Sequence, residues 1–175
     1  TIIDSISIDT RKLSKGDFFI PIRGENFDGH SFILDSFEKG GIGTLTEIDL
    51  NINCGDKIVI KVESTLKALQ RIAAYILRKR NIPVVAITGS TGKTTTKDMI
   101  YTILSQHYNV HRNQGNFNNH ICLPLTIFDL KEEHEIVVLE MGMSGFGEIE
   151  SLVKIAKPHI AVITNIGISH IEKLG

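Results

Sequence analysis

The feature that most constrains the fold is a glycine-rich turn between an apolar run and a helical pattern. The run Val84–Thr88 is made of β-branched and apolar residues, as buried strands are, and the turn Gly89–Gly92 follows it directly. From Lys93 a helical pattern continues to about Gln106. A strand, a glycine turn and a helix in this order predict a phosphate-binding loop, because glycine lets backbone N–H groups approach phosphate oxygens closely.

The loop from Thr88 to Thr96 carries the residue types that phosphate and metal chemistry need. Lys93 can reach the outer phosphates, and the hydroxyl of Thr94 is placed for Mg²⁺. Ile87 stands where the general phosphate loop has its first glycine, so the match to that consensus is incomplete. A plain glycine turn is the alternative, which the strand–turn–helix context disfavours. The predicted cofactor-binding residues are Gly89, Ser90, Thr91, Gly92, Lys93, Thr94 and Thr95.

The rest of the second half alternates between strand and helix patterns. Ile136–Glu140 and Ile160–Thr164 are continuous apolar runs, and the helical stretch Glu148–Ala156 lies between them. Continuous apolar strands that alternate with helices indicate an α/β fold with a parallel sheet covered on both faces. The buried stripe predicted for the helix after the glycine turn is Met99, Ile100, Ile103 and Leu104.

The first half is predicted to be a separate, small α/β domain. Short strand patterns such as Phe18–Ile22 come first, with a helix expected over Ser31–Lys39. A clear helical pattern with Ser64 as its N-cap then continues until Pro83 breaks it. We therefore predict domains at 1–82 and 83–175, and the second contains the phosphate loop.

Composition excludes several classes of protein. The 175 residues include 19 Lys+Arg and 20 Asp+Glu, a balance unlike that of generic nucleic-acid binders or electrostatic membrane anchors. The hydrophobic share of 42% is too high for a disordered chain. The two cysteines, Cys54 and Cys122, have no metal-ligand spacing and suit a reducing cytoplasm. Thr1 and Gly175 both look like cut ends, so we expect a piece of a longer protein.

Two residues at strand ends are candidates for metal binding. Glu140 ends one apolar run, and His170 follows another after a short loop. In open parallel sheets the carboxyl ends of the strands form the ligand crevice, so a carboxylate there can hold a phosphate-bound metal ion. An ordinary exposed carboxylate is the alternative for Glu140, and a histidine without function is the alternative for His170.

A concentrated group of amides, Gly115–Asn119, lies in a loop that ends at Pro124. Amide groups can donate to phosphate and acyl oxygens without adding charge. Because asparagine also tolerates left-handed backbone, an asparagine-rich turn is the preferred interpretation from composition alone.

Taken together, these motifs resemble the Mur ligases. The run from Thr88 to Thr96 is similar to their ATP loop, whose shortened Gly-x-x-Gly-Lys-Thr form accounts for Ile87. The resemblance is to the branch of the family that adds D-alanyl-D-alanine, and it covers essentially the whole chain. The segments that carry it are Gly115–Asn119, Leu139–Ser144, Ile163–Gly167, Asp9–Lys12 and Asp28–His30.

The resemblance implies that 83–175 is the N-terminal part of a central phosphate-loop ATPase domain, and it implies roles for matched residues there. Lys93 and the glycine loop would bind the ATP phosphates, and Thr94 with Glu140 would hold one Mg²⁺. His170 would be a ligand of a second Mg²⁺. Asn116 would line the reacting acyl phosphate, with Asn118 and Asn119 near the muramoyl substrate. The implied catalytic residues are Lys93, Asn116, Glu140 and His170.

In the first domain, the resemblance implies a pocket for the UDP-sugar part of the substrate. Its residues would be Thr10, Arg11, Arg23, Gly24, Asp28, Gly29 and His30.

The implied activity is ATP-dependent addition of D-alanyl-D-alanine to UDP-N-acetylmuramoyl-tripeptide, through an acyl phosphate, in peptidoglycan synthesis. The expected cofactors are ATP and Mg²⁺, and we expect a cytoplasmic monomer with neither nucleic-acid partners nor membrane insertion. We expect the 175-residue piece to be inactive by itself, though able to bind UDP-muramoyl peptide.

Three alternatives stay open from the sequence. The first is the related ligase that adds the third amino acid, which normally carries Thr-Thr-Pro where this chain has Asn116–Asn119. The second is a phosphate-loop kinase or NTPase, which the incomplete first glycine and the separate first domain disfavour. The third is a nucleotide-binding module without catalytic activity.

Overall fold

The computed structural model describes residues 3–24, 27–51 and 53–167, which divide into two compact units, Thr1–Leu69 and Gln70–Gly175. In the described ranges, each unit contains a four-stranded parallel sheet, which confirms the α/β fold class. The division falls inside helix α2 (Thr65–Arg80), whereas the predicted boundary is the proline after it. The assignment of functions to 1–82 and 83–175 stays a prediction.

The first unit consists of short strands because turns and a proline interrupt its apolar runs. Strand β2 (Phe18–Phe19) is shorter than the predicted Phe18–Ile22, since Pro21 has no N–H to continue the ladder. At the start of α2, the Ser64 hydroxyl accepts from the N–H of Lys67 at 3.3 Å, as expected of an N-cap. The other elements are β1 (Ile6–Ser7), a 3-10 helix (Gly29–Phe32), α1 (Ile33–Glu38), β3 (Gly43–Thr46) and β4 (Ile58–Lys61), with the strands in the order β1-β2-β3-β4.

The second unit alternates strands and helices as its apolar periodicity predicts. Its strand order is β6-β7-β5-β8, so β5 lies in the middle of the sheet. The core on one face includes Leu77, Leu123 and Leu152, all buried. The elements are β5 (Val84–Thr88), α3 (Lys93–Leu104), β6 (Val110–Arg112), α4 (Cys122–Phe128), β7 (Ile136–Glu140), α5 (Glu148–Ala156) and β8 (Ile160–Ile163).

The register of this sheet sets the position of the loops that follow each strand. Ile87 of β5 pairs with Glu140 of β7, and Thr88 pairs with Ile163 of β8. Because the three strands are parallel, the segments after β5, β7 and β8 all leave the sheet at the same edge.

The prediction for the buried stripe of α3 is wrong in part. Ile100 and Leu104 pack against the sheet, but Met99 and Ile103 are exposed. Spacings of three and four residues fit two neighbouring faces of a helix, and only the face with Ile100 and Leu104 contacts the sheet. The fully buried residue of α3 is Lys97. Within the described ranges, no helix combines the length and apolar character that crossing a membrane requires.

Candidate nucleotide and metal site

The phosphate loop adopts the backbone that its glycines permit. Gly89 has φ of +134° and Gly92 has φ of +77°, values that residues with a side chain rarely adopt. A Cβ at Gly89 would also lie 2.2 Å from Oγ1 of Thr164. Lys93 starts α3 and donates from Nζ to the carbonyl oxygens of Gly89 at 2.6 Å and Ser90 at 3.2 Å. The lysine is thus held across the loop that phosphates would occupy.

The segment after β8 supports this loop through polar contacts. Thr164 donates from Oγ1 to the carbonyl of Thr91 at 2.6 Å. Asn165 accepts at Oδ1 from the N–H of Thr91 at 3.0 Å and donates from Nδ2 to its hydroxyl at 2.7 Å. The N–H of Gly167 donates to Oγ of Ser90 at 2.9 Å. Sequence reasoning assigned no role to Asn165, and its place at the end of a strand beside β5 is the signal that could have found it.

Thr94 and Glu140 are brought together as the strand-end argument anticipates. Oγ1 of Thr94 donates to Oε2 of Glu140 at 2.8 Å, and the Glu140 side chain is 3% exposed. The carboxylate is therefore not the ordinary exposed group that the alternative interpretation describes. A hydroxyl and a carboxylate are oxygen ligands, which Mg²⁺ prefers.

Asn118 also contacts this carboxylate. Its Nδ2 donates to Oε1 of Glu140 at 2.7 Å, and its carbonyl accepts from the N–H of Gly142 at 2.9 Å. The side chain of Asn118, predicted to lie near the muramoyl substrate, is therefore hydrogen-bonded to Glu140, the candidate metal ligand.

The other two amides differ in their surroundings. Asn116 is exposed, and its carbonyl accepts from the N–H of Asn118 at 2.7 Å. Asn119 accepts at Oδ1 from the N–H groups of Ile121 at 3.0 Å and Cys122 at 2.8 Å, so it caps the first turn of α4. The turn interpretation describes Asn119 well, and the substrate roles of both residues stay predictions.

Two buried residues of the site were missed from the sequence. Lys97 donates from Nζ to the carbonyl oxygens of Asn113 at 3.1 Å and Gly115 at 3.3 Å. Asn113 accepts at Oδ1 from the N–H of Glu140 at 2.9 Å. The available signals were local: Lys97 is one helical turn after Lys93, and Asn113 follows strand β6 directly.

His170 lies outside the described residues, so its predicted contact with a metal ion stays a prediction. Among the residues that the structure describes, no three His, Cys, Asp or Glu side chains form a metal-ligating group.

In the first unit, Asp28 connects several of the predicted substrate residues. Its Oδ1 accepts from the N–H of His30 at 3.0 Å, and its Oδ2 accepts from Nε of Arg23 at 3.0 Å. The backbone hydrogen bond from His30, helped by Arg23, lowers the pKa of Asp28 to about 2. Asp28 is therefore ionised over the whole physiological range.

His30 is held between two partners of its own unit. Its ring is 3% exposed, and Nδ1 lies 2.6 Å from Oδ1 of Asp28. Nε2 accepts from the N–H of Glu47 at 3.0 Å, so Nδ1 carries the proton and donates to Asp28. With both nitrogens used internally, His30 orients Asp28 rather than offering a free group to a ligand.

An open cavity of about 410 Å³ in this unit brings together three of the predicted substrate residues, Thr10, Arg11 and Gly29. Phe27 and Phe32 also line it, and the sequence reasoning did not select them. Arg23, Gly24, Asp28 and His30 are not among its lining residues. The cavity is lined by aromatic faces and by the ion pair of Arg11 with Asp9, so an anionic ligand with a planar ring would compete with Asp9 for the guanidinium.

Comparisons with known proteins identify the family. The Mur ligase middle domain matches residues 87–175, and the Mur ligase family catalytic domain matches residues 2–76. The UDP-N-acetylmuramoyl-tripeptide–D-alanyl-D-alanine ligases of Bacillus subtilis and Synechocystis sp. are 50% and 45% identical to this chain over 100% and 99% of it. The chain spans 38% of the length of each of these two relatives.

Solved structures agree with the sequence relatives. The MurF structure from Acinetobacter baumannii matches all of the chain at 35% identity with a TM-score of 0.94, and 38% of that protein is covered. MurF from Thermotoga maritima, in complex with ADP, matches 97% of the chain at 36% identity with a TM-score of 0.88, over 39% of its own length. Since the middle-domain match alone covers more than half of its residues, the chain belongs to the Mur ligase family.

Proposed function

We propose that this protein is an ATP-dependent ligase that joins D-alanyl-D-alanine to UDP-N-acetylmuramoyl-tripeptide in peptidoglycan synthesis. The observation that carries the proposal is the hydrogen bond between Thr94, in the phosphate loop, and the buried carboxylate of Glu140 at the end of the neighbouring strand. The names of the relatives at 50% and 45% identity support this substrate pair. The two cysteines, half-buried and far apart in sequence, fit our expectation of a cytoplasmic protein, and we expect a monomer.

The phosphate loop and Lys93 would bind the phosphates of ATP. In the structure the ammonium of Lys93 donates hydrogen bonds to the carbonyls of Gly89 and Ser90. When the nucleotide binds, the ammonium would donate to phosphate oxygens instead. The N-terminus of α3 adds its partial positive charge at the same place. Binding would thus replace internal contacts of the loop with contacts to the ligand.

Thr94 and Glu140 would hold Mg²⁺, because a hydroxyl and a carboxylate supply the hard oxygen ligands that this ion requires. His170 is proposed as a ligand of a second ion from the resemblance, and it lies outside the described residues. When bound, Mg²⁺ would neutralise charge on the phosphates during their transfer.

The first unit would bind the UDP-sugar part of the substrate. Arg11 at the open cavity is a candidate for the diphosphate, and Phe27 or Phe32 offers a face for the base. Thr10 and Gly29 line the same cavity, while Arg23, Gly24, Asp28 and His30 would shape the neighbouring loop.

The reaction we propose has two steps. The carboxylate of the tripeptide attacks the terminal phosphorus of ATP, so an acyl phosphate forms and ADP leaves. The amine of D-alanyl-D-alanine then attacks the acyl carbon, so an amide forms, phosphate leaves and the amine loses a proton. Lys93 would stabilise the transferring phosphoryl group, and Asn116 would donate to the acyl phosphate.

The proposal is tested with the full-length protein, ATP, Mg²⁺, UDP-N-acetylmuramoyl-tripeptide and D-alanyl-D-alanine. Mass spectrometry should find the pentapeptide product together with one ADP per product. With hydroxylamine in place of the dipeptide, the acyl phosphate should be trapped as a hydroxamate.

Other outcomes would contradict the proposal in distinct ways. ADP release that needs no muramoyl substrate would indicate an NTPase. Joining of a single amino acid to the dipeptide precursor would indicate the related ligase. Nucleotide binding without product would indicate a binding module.

A further inference from the structure

Lys97 is a buried cation that the proposed chemistry does not use. Its side chain is 2% exposed, and it lies one turn after Lys93 on the same side of α3. Its Nζ is 3.8 Å from Oε2 of Glu140, whose side chain is 3% exposed. Nζ is also 3.7 Å from Oδ1 of Asp98, a half-exposed carboxylate that is paired with Arg112. Glu140 is therefore the buried charge that Lys97 faces.

The same ammonium binds the segment 113–119, which we call the amide loop. Lys97 donates to the carbonyl oxygens of Asn113 and Gly115 at the start of this loop. A buried ammonium is costly to desolvate, and it is retained only where carbonyls and a carboxylate compensate it. The amide loop and Glu140 together supply that compensation.

Asn113, the first residue of the amide loop, also links this loop to Glu140. Its Oδ1 accepts from the N–H of Glu140, and its Nδ2 donates to the carbonyls of Glu140 at 3.1 Å and Phe117 at 2.9 Å. Asn118, in the same loop, donates to Oε1 of Glu140. The loop that carries Asn116 is thus attached to the candidate metal ligand at both the backbone and the side chain.

We propose that Lys97 is a positioning residue that couples the amide loop to the nucleotide site. Its ammonium pairs with Glu140 and orders the carbonyls of Asn113 and Gly115, so that Asn116 keeps a fixed position relative to the phosphate loop. This inference rests on the proposed function, because that function places Asn116 of the amide loop at the acyl phosphate. Because the ammonium of Lys97 is held by groups of the protein itself, the role assigned to it is positioning rather than catalytic.

The test substitutes Lys97→Met in the full-length protein, which removes the charge and keeps most of the volume. Lys154→Met, at an exposed ion pair on α5, is the matched control. Hydrogen–deuterium exchange should be about tenfold faster in the amide loop, the effect of losing a buried hydrogen bond, while β5 and the phosphate loop exchange as in wild type. The kcat for ligation should fall by about 100-fold, the cost of a misplaced reacting group, with the KM for ATP unchanged.

A conservative variant keeps the inference testable if Lys97→Met does not fold. Lys97→Arg retains the cation, and it should keep the protection of the amide loop and most of the turnover. If exchange rises across the whole protein in Lys97→Met and the loop is equally unprotected in Lys97→Arg, the role is general packing and the inference is overturned. Unchanged loop protection and kcat in Lys97→Met would overturn it as well. If wild type itself neither binds ATP nor ligates, the proposed function has failed instead.

Discussion

The candidate nucleotide site of the second unit and the charged pairs of the first unit, Arg11 with Asp9 and Arg23 with Asp28, use charge in opposite ways. Lys97 and Glu140 face each other with side chains 2% and 3% exposed. In the first unit, Arg11 is 86% exposed in its ion pair with Asp9, and Asp28 is 42% exposed beside Arg23. Charges removed from water interact strongly with their neighbours, whereas exposed pairs are screened. Substitutions of similar chemistry should therefore have large effects in one unit and small effects in the other.

The largest effect is expected at Lys93. Lys93→Ala removes the ammonium that would neutralise the transferring phosphoryl group, and ADP formation by the full-length protein should fall about 1000-fold. Steady-state turnover with both substrates measures it. Lys154→Ala, at an exposed pair with Glu150, is the control and should leave turnover unchanged. Turnover of Lys93→Ala within a few-fold of wild type would contradict the assignment of the phosphate site.

Glu140→Gln should give the next largest effect. The amide keeps the size of the side chain and can still accept from Thr94, but it has one acceptor oxygen instead of two and loses the charge that would attract Mg²⁺. Turnover at limiting Mg²⁺ should fall about 100-fold and recover in part as the Mg²⁺ concentration rises. A titration of turnover against Mg²⁺ concentration, with the exposed Glu150→Gln as control, measures this shift. An unchanged Mg²⁺ midpoint would show that Glu140 is not a ligand.

The features of this protein that could be predicted from the sequence are those whose signal lies in one continuous segment. The phosphate loop could be predicted because its chemistry lies in one continuous run, between a strand and a helix that both have clear periodicity. Glu140 could be predicted from a rule about parallel sheets, which needs only the end of an apolar run. The α/β fold class follows from the same alternation of strands and helices.

Residues that act between distant segments could not be predicted in this way. Lys97, Asn113 and Asn165 make their contacts because the fold brings separate loops together. The local signals for these residues mark a strand end or a helical turn, but they do not record which segments meet. Met99 and Ile103 show the converse, since spacing alone does not tell which of two apolar helix faces meets the sheet. In the first unit, Phe27 and Phe32 join Thr10 only through the fold.

A smaller effect, on stability, is expected at Asp28, and it can be compared with the effect at Asp9, a second carboxyl of the first unit. The pKa values of Asp28 and Asp9 are both lowered to about 2, but by different partners. For Asp28 the main cause is the backbone N–H of His30, and for Asp9 it is the exposed side chain of Arg11. Because both pKa values are depressed, each carboxylate stabilises the fold above its usual pKa of 3.8, and this stability is lost as the pH falls towards about 2.

Asp28→Ala should lower the free energy of unfolding by about 1 kcal/mol, as the loss of a helix cap does, and 1 M NaCl should change this difference little. Asp9→Ala should have a smaller effect that salt reduces further, since its ion pair is exposed. Urea unfolding at neutral pH with and without salt compares the two variants. Equal salt sensitivity would show that the two carboxyls are held in the same way.

The smallest effect is expected at His134, which is less buried than Lys97 and Glu140 and less exposed than Arg11. Burial, with the charge of His111 as a second cause, lowers the pKa of His134 below 6.5. Its Nδ1 accepts from the N–H of Lys131 at 2.9 Å, a contact that only the unprotonated nitrogen can make. The folded state therefore binds fewer protons than the unfolded chain, so this contribution to stability is complete above pH 6.5 and is lost as the pH falls through 6.5 towards the lower folded pKa.

His134→Gln should remove part of this pH dependence, and the change should be small because the group is only partly withdrawn from water. Urea midpoints measured between about pH 5.5 and 7.5, the range in which histidine titrates, should rise more steeply with pH in wild type than in the variant. His107→Gln, at an exposed position after α3, is the control and should keep the wild-type slope. If His134→Gln has the wild-type slope as well, partial burial at this site is too weak to shift protons, and buried and exposed charges in this protein differ more sharply than a graded dependence on burial predicts.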